Sequence, residues 1–293
     1  MANNLGRDQL SWTPDIWADI DKAVLAEVGS IRVVQKVFNS THVPNATNVP
    51  ADQLDEDAMT IDEGATKPLI EISVEFSLTQ GQVDNEATLH TGRTLAMLAG
   101  KTIASVEDAL LLQGTNHPKL AKNVSVVNEN SAEHGLFGVA SGPAISVKPL
   151  PSTSGTPTVY GGNLFAAVTQ GMGHLTQNGQ PGPYALILES SVYADAFSPM
   201  ASTLATTADR LTPLLTGGFY GTGAMPARTG LLTSLGGQPT TIYVAQDPTT
   251  AYTQENKDGS HLFRVFERVQ FVARHKTAFV NLAFKAAAAA AKR

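Results

Sequence analysis

Residues 83–113 read VDNEATLHTGRTLAMLAGKTIASVEDALLLQ, and this run decides the fold. No proline falls between Pro68 and Pro118, and Leu95, Leu98, Ala99, Ile103, Val106 and Leu110 follow one another at steps of 3, 1, 4, 3 and 4. That is the spacing of one helical face. It predicts a helix over 83–113, roughly 45 Å long at the usual rise per residue, with Gly114 as its stop. Gly92 and Gly100 weaken its propensity, which points to another backbone passing close by. A helix of this length is a spine, not a cap on a small sheet.

Upstream, Thr13-Pro14 is a helix start, and Ile16, Ile20, Ala23, Val24 and Val28 form an apolar stripe ended by Gly29-Ser30. Residues 31–38 read as a strand. From 39 to 67 the periodicity dissolves around Pro44, Pro50 and an acidic cluster of Asp52, Asp55, Glu56, Asp57, Asp62 and Glu63. Connections in compact domains usually run about 4–6 residues, so this segment is expected either to be disordered or to lie across something else. Residues 68–78 are strand-like, with Ile70, Ile72, Val74 and Phe76 on one face.

Downstream, 115–162 is rich in Ser, Thr, Gly and Pro, with a short strand at 124–127. Leu164, Phe165, Val168, Met172 and Leu175 mark a second helix, 185–188 a buried strand and 191–197 a short helix. Gly217 to Gly223 reads as a flexible loop. The last third is strands at 241–245, 261–274 and 278–284. In the long one, Phe263, Val265, Val269 and Phe271 face one way and Arg264, Arg268 and Arg274 the other, an alternation that predicts one buried and one solvated, basic face.

The 293 residues include no cysteine, which excludes disulfide scaffolds, Cys-ligated zinc, iron–sulfur clusters and thiol nucleophiles. The formal charge is −6, from 20 basic and 26 acidic side chains, which argues against a surface that grips nucleic acid all round. Charged residues make up 16% of the chain, against about 25% in an average domain. A compact monomer of this mass exposes on the order of 12,000 Å². So thin a charge cover points to burial against other subunits. No apolar run approaches about 18 residues, and MANNLGRDQLSW lacks the apolar core of a signal peptide. Neither a membrane helix nor a leader is expected.

Catalytic motifs fail one by one. Gly100-Lys101-Thr102 resembles the end of a phosphate loop, but Leu95 stands where that loop needs glycine, and the triplet lies inside the helix. Ser234, between Gly230 and Gly236, lacks the spacing of a nucleophile elbow. The acidic stretch does not fit a calcium loop, with Leu54 and Glu56 at ligand positions. The seven histidines are scattered, as surface histidines are. Glu107-Asp108 is the acidic pair of the spine, read as a charged flank meeting other subunits or basic side chains. No catalytic residue, cofactor site or metal site is expected. Residues 255–293 carry eight Lys/Arg against three acids. This is either an ordinary solvated face or one that meets an anionic partner, such as a neighbour's acidic loop or a nucleic-acid backbone.

The co-linear words Trp17-Ala18-Asp19-Ile20-Asp21, Arg32-Val33-Val34, Pro68-Leu69-Ile70-Glu71-Ile72 with Phe76, and Val106-Glu107-Asp108 through Gly114 form a set. Gly182-Pro183-Tyr184, Gln246-Asp247 before Ala251-Tyr252, and Leu262-Phe263 through Phe271 complete it. Together, from about Asn4 to Phe284, they resemble the encapsulins, a bacterial branch of the tailed-phage, Hong Kong 97-like capsid family. The resemblance implies an α+β Hong Kong 97-like fold and a shell subunit without enzymatic activity. It implies an N-terminal arm and helix (1–38), an extended loop (39–67), a peripheral domain (68–125 and 249–272) with the spine, an axial domain (126–248 and 273–284) and a tail (285–293).

Trp17 and Ile20 match the encapsulin helix that helps form the inner pocket for a cargo protein's terminal peptide. Asp52, Asp55, Glu56, Glu63, Pro68, Arg264 and Arg268 are the other expected assembly residues, and Gly217, Gly218, Gly221 and Gly223 the expected pore-loop residues. The loop departs from encapsulins in lacking a glycine-rich opening. With the low charge and the Thr/Gly/Ala richness, this fits a tailed-phage major capsid protein that encloses double-stranded DNA in a virion. The alternative is an encapsulin nanocompartment in the bacterial cytoplasm around a cargo enzyme. In either case the chain's first partner is itself, as pentamers and hexamers.

Overall fold

The computed structural model describes residues 5–55, 59–62, 64–140, 142, 144–151, 158–200 and 205–286. The N-terminal helix runs Pro14–Ile31, opened by the Thr13 hydroxyl, which accepts the Ile16 amide. Trp17, Ile20, Ala23, Val24 and Val28 are its buried stripe. It continues through Gly29-Ser30, where the sequence predicts its end, and closes with the Arg32 amide on the Val28 carbonyl. The strand expected over 31–38 is absent. A helical turn, Val34–Val37, stands there, because the Asp108 carboxylate accepts the Val33 and Val34 amides at 2.8 and 3.0 Å. A helix-starting cap supplied by a distant residue overrides the local β-branched preference.

Strands β1 (Ser40–His42), β2 (Asn48–Pro50), β3 (Gln53–Asp55), β4 (Thr60–Asp62) and β5 (Thr66–Pro68) precede the long β6 (Ile70–Thr79). The segment expected either to be disordered or to lie across something else thus carries paired strands, with β2 antiparallel to β5 and β3 antiparallel to β4 in a hairpin. Thr60, Ile61 and Asp62 are all exposed, so the arm shows none of the alternation by which a half-buried strand is read.

The spine is Thr91–Gln113, 23 residues and roughly 35 Å, shorter than the periodicity predicts. Its expected first turns form separate helices, Gln80–Asp84 and Glu86–Leu89, and His90 breaks the path at φ 51°. Glu86, buried, accepts the Gly92 and Arg93 amides at 2.6 and 2.8 Å, a negative charge on the helix's orphan donors. Leu98, read as part of the buried stripe, is 58% exposed, whereas every residue from Val106 to Gln113 is buried. A Cβ on Gly100 would sit 3.2 Å from both Val24 Cγ1 and Val28 Cγ2. The backbone expected to pass close by is the N-terminal helix.

The remaining strands are β7 (Val124–Val127), β8 (Ile145–Val147), β9 (Tyr184–Glu189), β10 (Gly218–Thr222), β11 (Thr229–Ser234), β12 (Thr240–Glu255), β13 (Ser260–Ala273) and β14 (Phe279–Phe284). One sheet has the order β1-β12-β13-β6-β7 and the other β10-β9-β11-β14-β8. The N-terminal helix and the spine pack on the first, and their core runs through Ile20, Ile72, Ile103, Leu110, Phe263 and Val265. The helix Gly161–Gln177 packs on the second, around Leu164, Val168, Leu186, Leu232 and Leu282. β12 extends well beyond the expected 241–245, and the division expected at 248–249 falls inside it, in a stretch where its register to β13 shifts between Gln246 and Thr249. Among the described residues no helix is long and apolar enough to cross a membrane.

Gly100→Leu is expected to wedge the N-terminal helix from the spine and cost about 1–3 kcal/mol, read by chemical denaturation of the unassembled protomer. Glu86→Ala removes the spine's cap and is expected to cost about 1–2 kcal/mol in the same measurement.

Candidate functional site

The structure places the expected assembly residues in four locations. The first is the hairpin. Its base is seated on the body: Val49 and Ala51 are buried, and Arg274 Nη2 lies 3.5 Å from Asp52 Oδ2. Lys67 Nζ lies 2.8 Å from Glu133 Oε1, and the Pro68 carbonyl accepts Gln270 Nε2 at 2.8 Å and Ser131 Oγ at 3.1 Å. Farther out along the hairpin, Met59 is 88% and Ile61 56% exposed. Glu56 and Glu63 lie outside the described residues; Asp55 lies in β3.

The second is an aromatic seat between the N-terminal helix and the first sheet. Trp17 is buried, and Trp12 lies over it with ring centroids 4.8 Å apart. Trp12 also stacks on Phe263 at 5.2 Å, and Phe263 in turn meets Phe76 at 5.3 Å and Tyr252 at 5.5 Å. Ile20 is buried in the same core. Residues 5–13 tie across this seat. The Leu5 carbonyl accepts the Tyr252 amide at 2.9 Å. Arg7 Nη2 donates to both Asp21 carboxylate oxygens, at 2.8 and 2.7 Å, and stacks over Trp17 at 4.7 Å. Trp12 Nε1 donates to the Val83 carbonyl at 2.8 Å. A shallow groove of about 480 Å³ remains beside it, lined by Arg7, Leu10, Trp12 and Trp17 among others.

The third is the basic face of β13. Arg264 and Arg268 are not an unpaired solvated stripe: both turn to Glu71 on β6, at 3.1 and 2.7 Å. Half-exposed pairs of this kind contribute little stability, but they remove two of the cations expected to meet an anionic partner. The fourth is the glycine run. Gly218 and Gly221 lie in β10, paired parallel to β9, with Gly217 and Gly223 flanking it. The expected flexible loop is thus an ordered edge strand. Its glycines admit close neighbours: a Cβ on Gly221 would lie 2.4 Å from the Tyr193 ring.

Sequence reasoning missed a fifth location, buried at the joint of the N-terminal helix, the spine and β13. Arg32 Nε lies 3.3 Å from Glu107 Oε2 and Arg32 Nη2 3.1 Å from Glu267 Oε2. Gln35 Nε2 donates to Glu107 Oε1 at 2.6 Å. Glu107-Asp108, expected as a charged flank, is almost wholly buried, and so is Glu267. Burial, then the neighbouring Glu267 charge, pushes the Glu107 carboxyl well above the usual range. Burial lifts Glu267 to about 7 against the pull of Arg32. It lifts Asp108 to about 6 against two amide hydrogen bonds. A signal was present in the sequence: Glu267 occupies the buried register of Phe263, Val265, Val269 and Phe271, where a carboxylate needs a partner.

The comparisons with known proteins agree with this architecture. Residues 2–270 match the family described as "Encapsulating protein for peroxidase". A virus-like particle from Pyrococcus furiosus is 15% identical, with 91% of this chain and 98% of that chain covered at a TM-score of 0.66. A structure from Mycobacterium phage Bobi is 17% identical, covering 88% and 91% at 0.57. The capsid of a native GTA particle is 16% identical, covering 86% and 90% at 0.54. At these identities the likeness establishes the fold, which is Hong Kong 97-like, while the family match spans nearly the whole chain. The projecting arm, the spine and the two sheets are those of a self-assembling shell subunit, and the chain belongs to the family of encapsulating proteins.

Proposed function

We propose that this chain is the major capsid protein of a tailed-phage-type shell enclosing double-stranded DNA. The observation that carries the reading is the aromatic seat. In encapsulins the corresponding helix helps form the pocket for a cargo peptide, whereas here Trp12 of the same chain fills the seat and is held by a buried indole hydrogen bond. A guest peptide would have to displace that side chain, its stacking and the Arg7–Asp21 tie. Confining a genome needs no phosphate-gripping face, and the pairing of Arg264 and Arg268 with Glu71 fits a wall better than a clamp. In this reading the hairpin lies over an adjoining protomer, with Met59 and Ile61 in contact, and the lobe around β9–β11 surrounds the symmetry axes. The second reading, a nanocompartment around a peroxidase, is favoured by the family match.

Particles recovered from cells carrying the gene in its own genome are expected to hold nuclease-resistant DNA. Shells co-expressed with a peroxidase bearing its terminal cargo peptide are expected to retain none. Stoichiometric retention of that guest, without protected DNA, would establish the nanocompartment instead. Ile61→Asp is expected to leave the protomer's unfolding midpoint unchanged while abolishing shells in electron micrographs; normal shells would remove the hairpin tip from the assembly contact.

A further inference from the structure

The joint described above sets three carboxylates, Glu107, Asp108 and Glu267, against the single guanidinium of Arg32. Asp108 is satisfied by two backbone amides. The other two lean on Arg32: Glu107 Oε2 has only the 3.3 Å ion-pair contact with Arg32 Nε, and Glu267 Oε1 makes no hydrogen bond among the described residues. Fully ionised, the group would hold an excess of negative charge away from water, an arrangement that proteins relieve by binding a proton. The charged groups around it offer little relief. From the N-terminal side, Lys36 donates to the Ser30 carbonyl, and its charge pulls only weakly on Asp108, behind burial, the two amides and Arg32. From β12, Asp247 adds another negative charge and lies 3.7 Å from His42. An open groove of about 270 Å³, lined by Arg32, Gln35, Lys36 and Asp247, gives solvent a route to the edge of the cluster.

The position matters as much as the chemistry. Arg32 ends the N-terminal helix, and within ten residues the chain has entered β1, from which it passes into the hairpin. We propose that this cluster is a proton-operated latch. With a proton held between Glu107 and Glu267, the end of the N-terminal helix stays clamped to the spine and β13. Loss of that proton on the alkaline side loosens the joint at the root of the projecting arm, inside the assembled shell.

The direction follows from the displaced carboxyls. The folded state keeps protons that an unfolded chain releases near the ordinary carboxyl value of 4.5. Stabilisation by the joint is therefore complete below that pH and is lost as pH rises through about 7. Hydrogen exchange of the Val33 and Val34 amides in assembled shells, corrected for intrinsic rates, reads the joint directly. Protection in the wild type is expected to fall as pH rises through about 7, and to fall less steeply in both Glu107→Gln and Glu267→Gln. Flat wild-type protection, or an unchanged fall in both Glu107→Gln and Glu267→Gln, would overturn the latch. Should those variants fail to assemble, infrared spectroscopy of wild-type shells decides. A protonated carboxyl band present at neutral pH and lost at alkaline pH supports the latch, and absence of that band rejects it.

Discussion

The crossing of the N-terminal helix over the spine at Gly100 is the constraint on which the rest of the structure depends. With Val24 and Val28 pressed against a position that has no side chain, the two helices approach closely enough to share one core above the first sheet. That contact fixes where the N-terminal helix ends, and so where Arg32 enters the interior. It also brings Asp108 under the Val33 and Val34 amides, which turns the chain through a helical corner instead of a strand. The path from that corner into β1 and the hairpin is set by the same contact. Close packing of helices transmits such placement because interiors resist small displacements.

Charge is sparse in this protein, and its location is informative. The pairs on the surface of β13 and β6 are half-exposed and energetically minor. The carboxylates that matter are the buried ones, Glu86 on the spine's first amides and the Glu107–Asp108–Glu267 group at the joint. Both act where backbone or guanidinium donors would otherwise lack partners. Buried ion pairs are poor stabilisers in themselves, but they penalise misplacement heavily. In a subunit whose copies must interlock, a joint that tolerates one arrangement serves assembly. The apolar side chains of the hairpin work the other way: Met59 and Ile61 are exposed in the protomer, where they gain nothing from burial.

The aromatic seat is built from residues that the sequence does not visibly connect. Trp17 and Ile20 are legible in the sequence as helix residues, but nothing local reveals that Trp12 lies over Trp17 or that residues 5–13 strap onto β12. The strap is held by Arg7 over the Trp17 indole ten residues on, and by two contacts to residues far along the chain, the Trp12 indole to the Val83 carbonyl and the Tyr252 amide to the Leu5 carbonyl. Such contacts have no period to detect.

What the sequence by itself determined is whatever a local period or a covalent fact encodes. The spine's stripe from Ala99 to Leu110, the amphipathic N-terminal helix, the buried register of Phe263, Val265, Val269 and Phe271 in β13 and the absence of thiol chemistry are all of this kind, because side-chain spacing maps directly onto one face of a helix or strand; the other face of β13, expected to be solvated, also buries Phe266, Gln270 and Val272. The co-linear order of these pieces carried the family. Tertiary structure alone decided the helical corner at residues 34–37, the break at His90, the pairing of the hairpin, the strand at Gly218–Thr222 and the burial of Glu107. At the corner, at Gly218–Thr222 and at Glu107, a partner distant in the chain supplies the hydrogen bond, the packing surface or the counter-charge. Local preference yields there because leaving a buried polar group unmet costs more than the preference is worth.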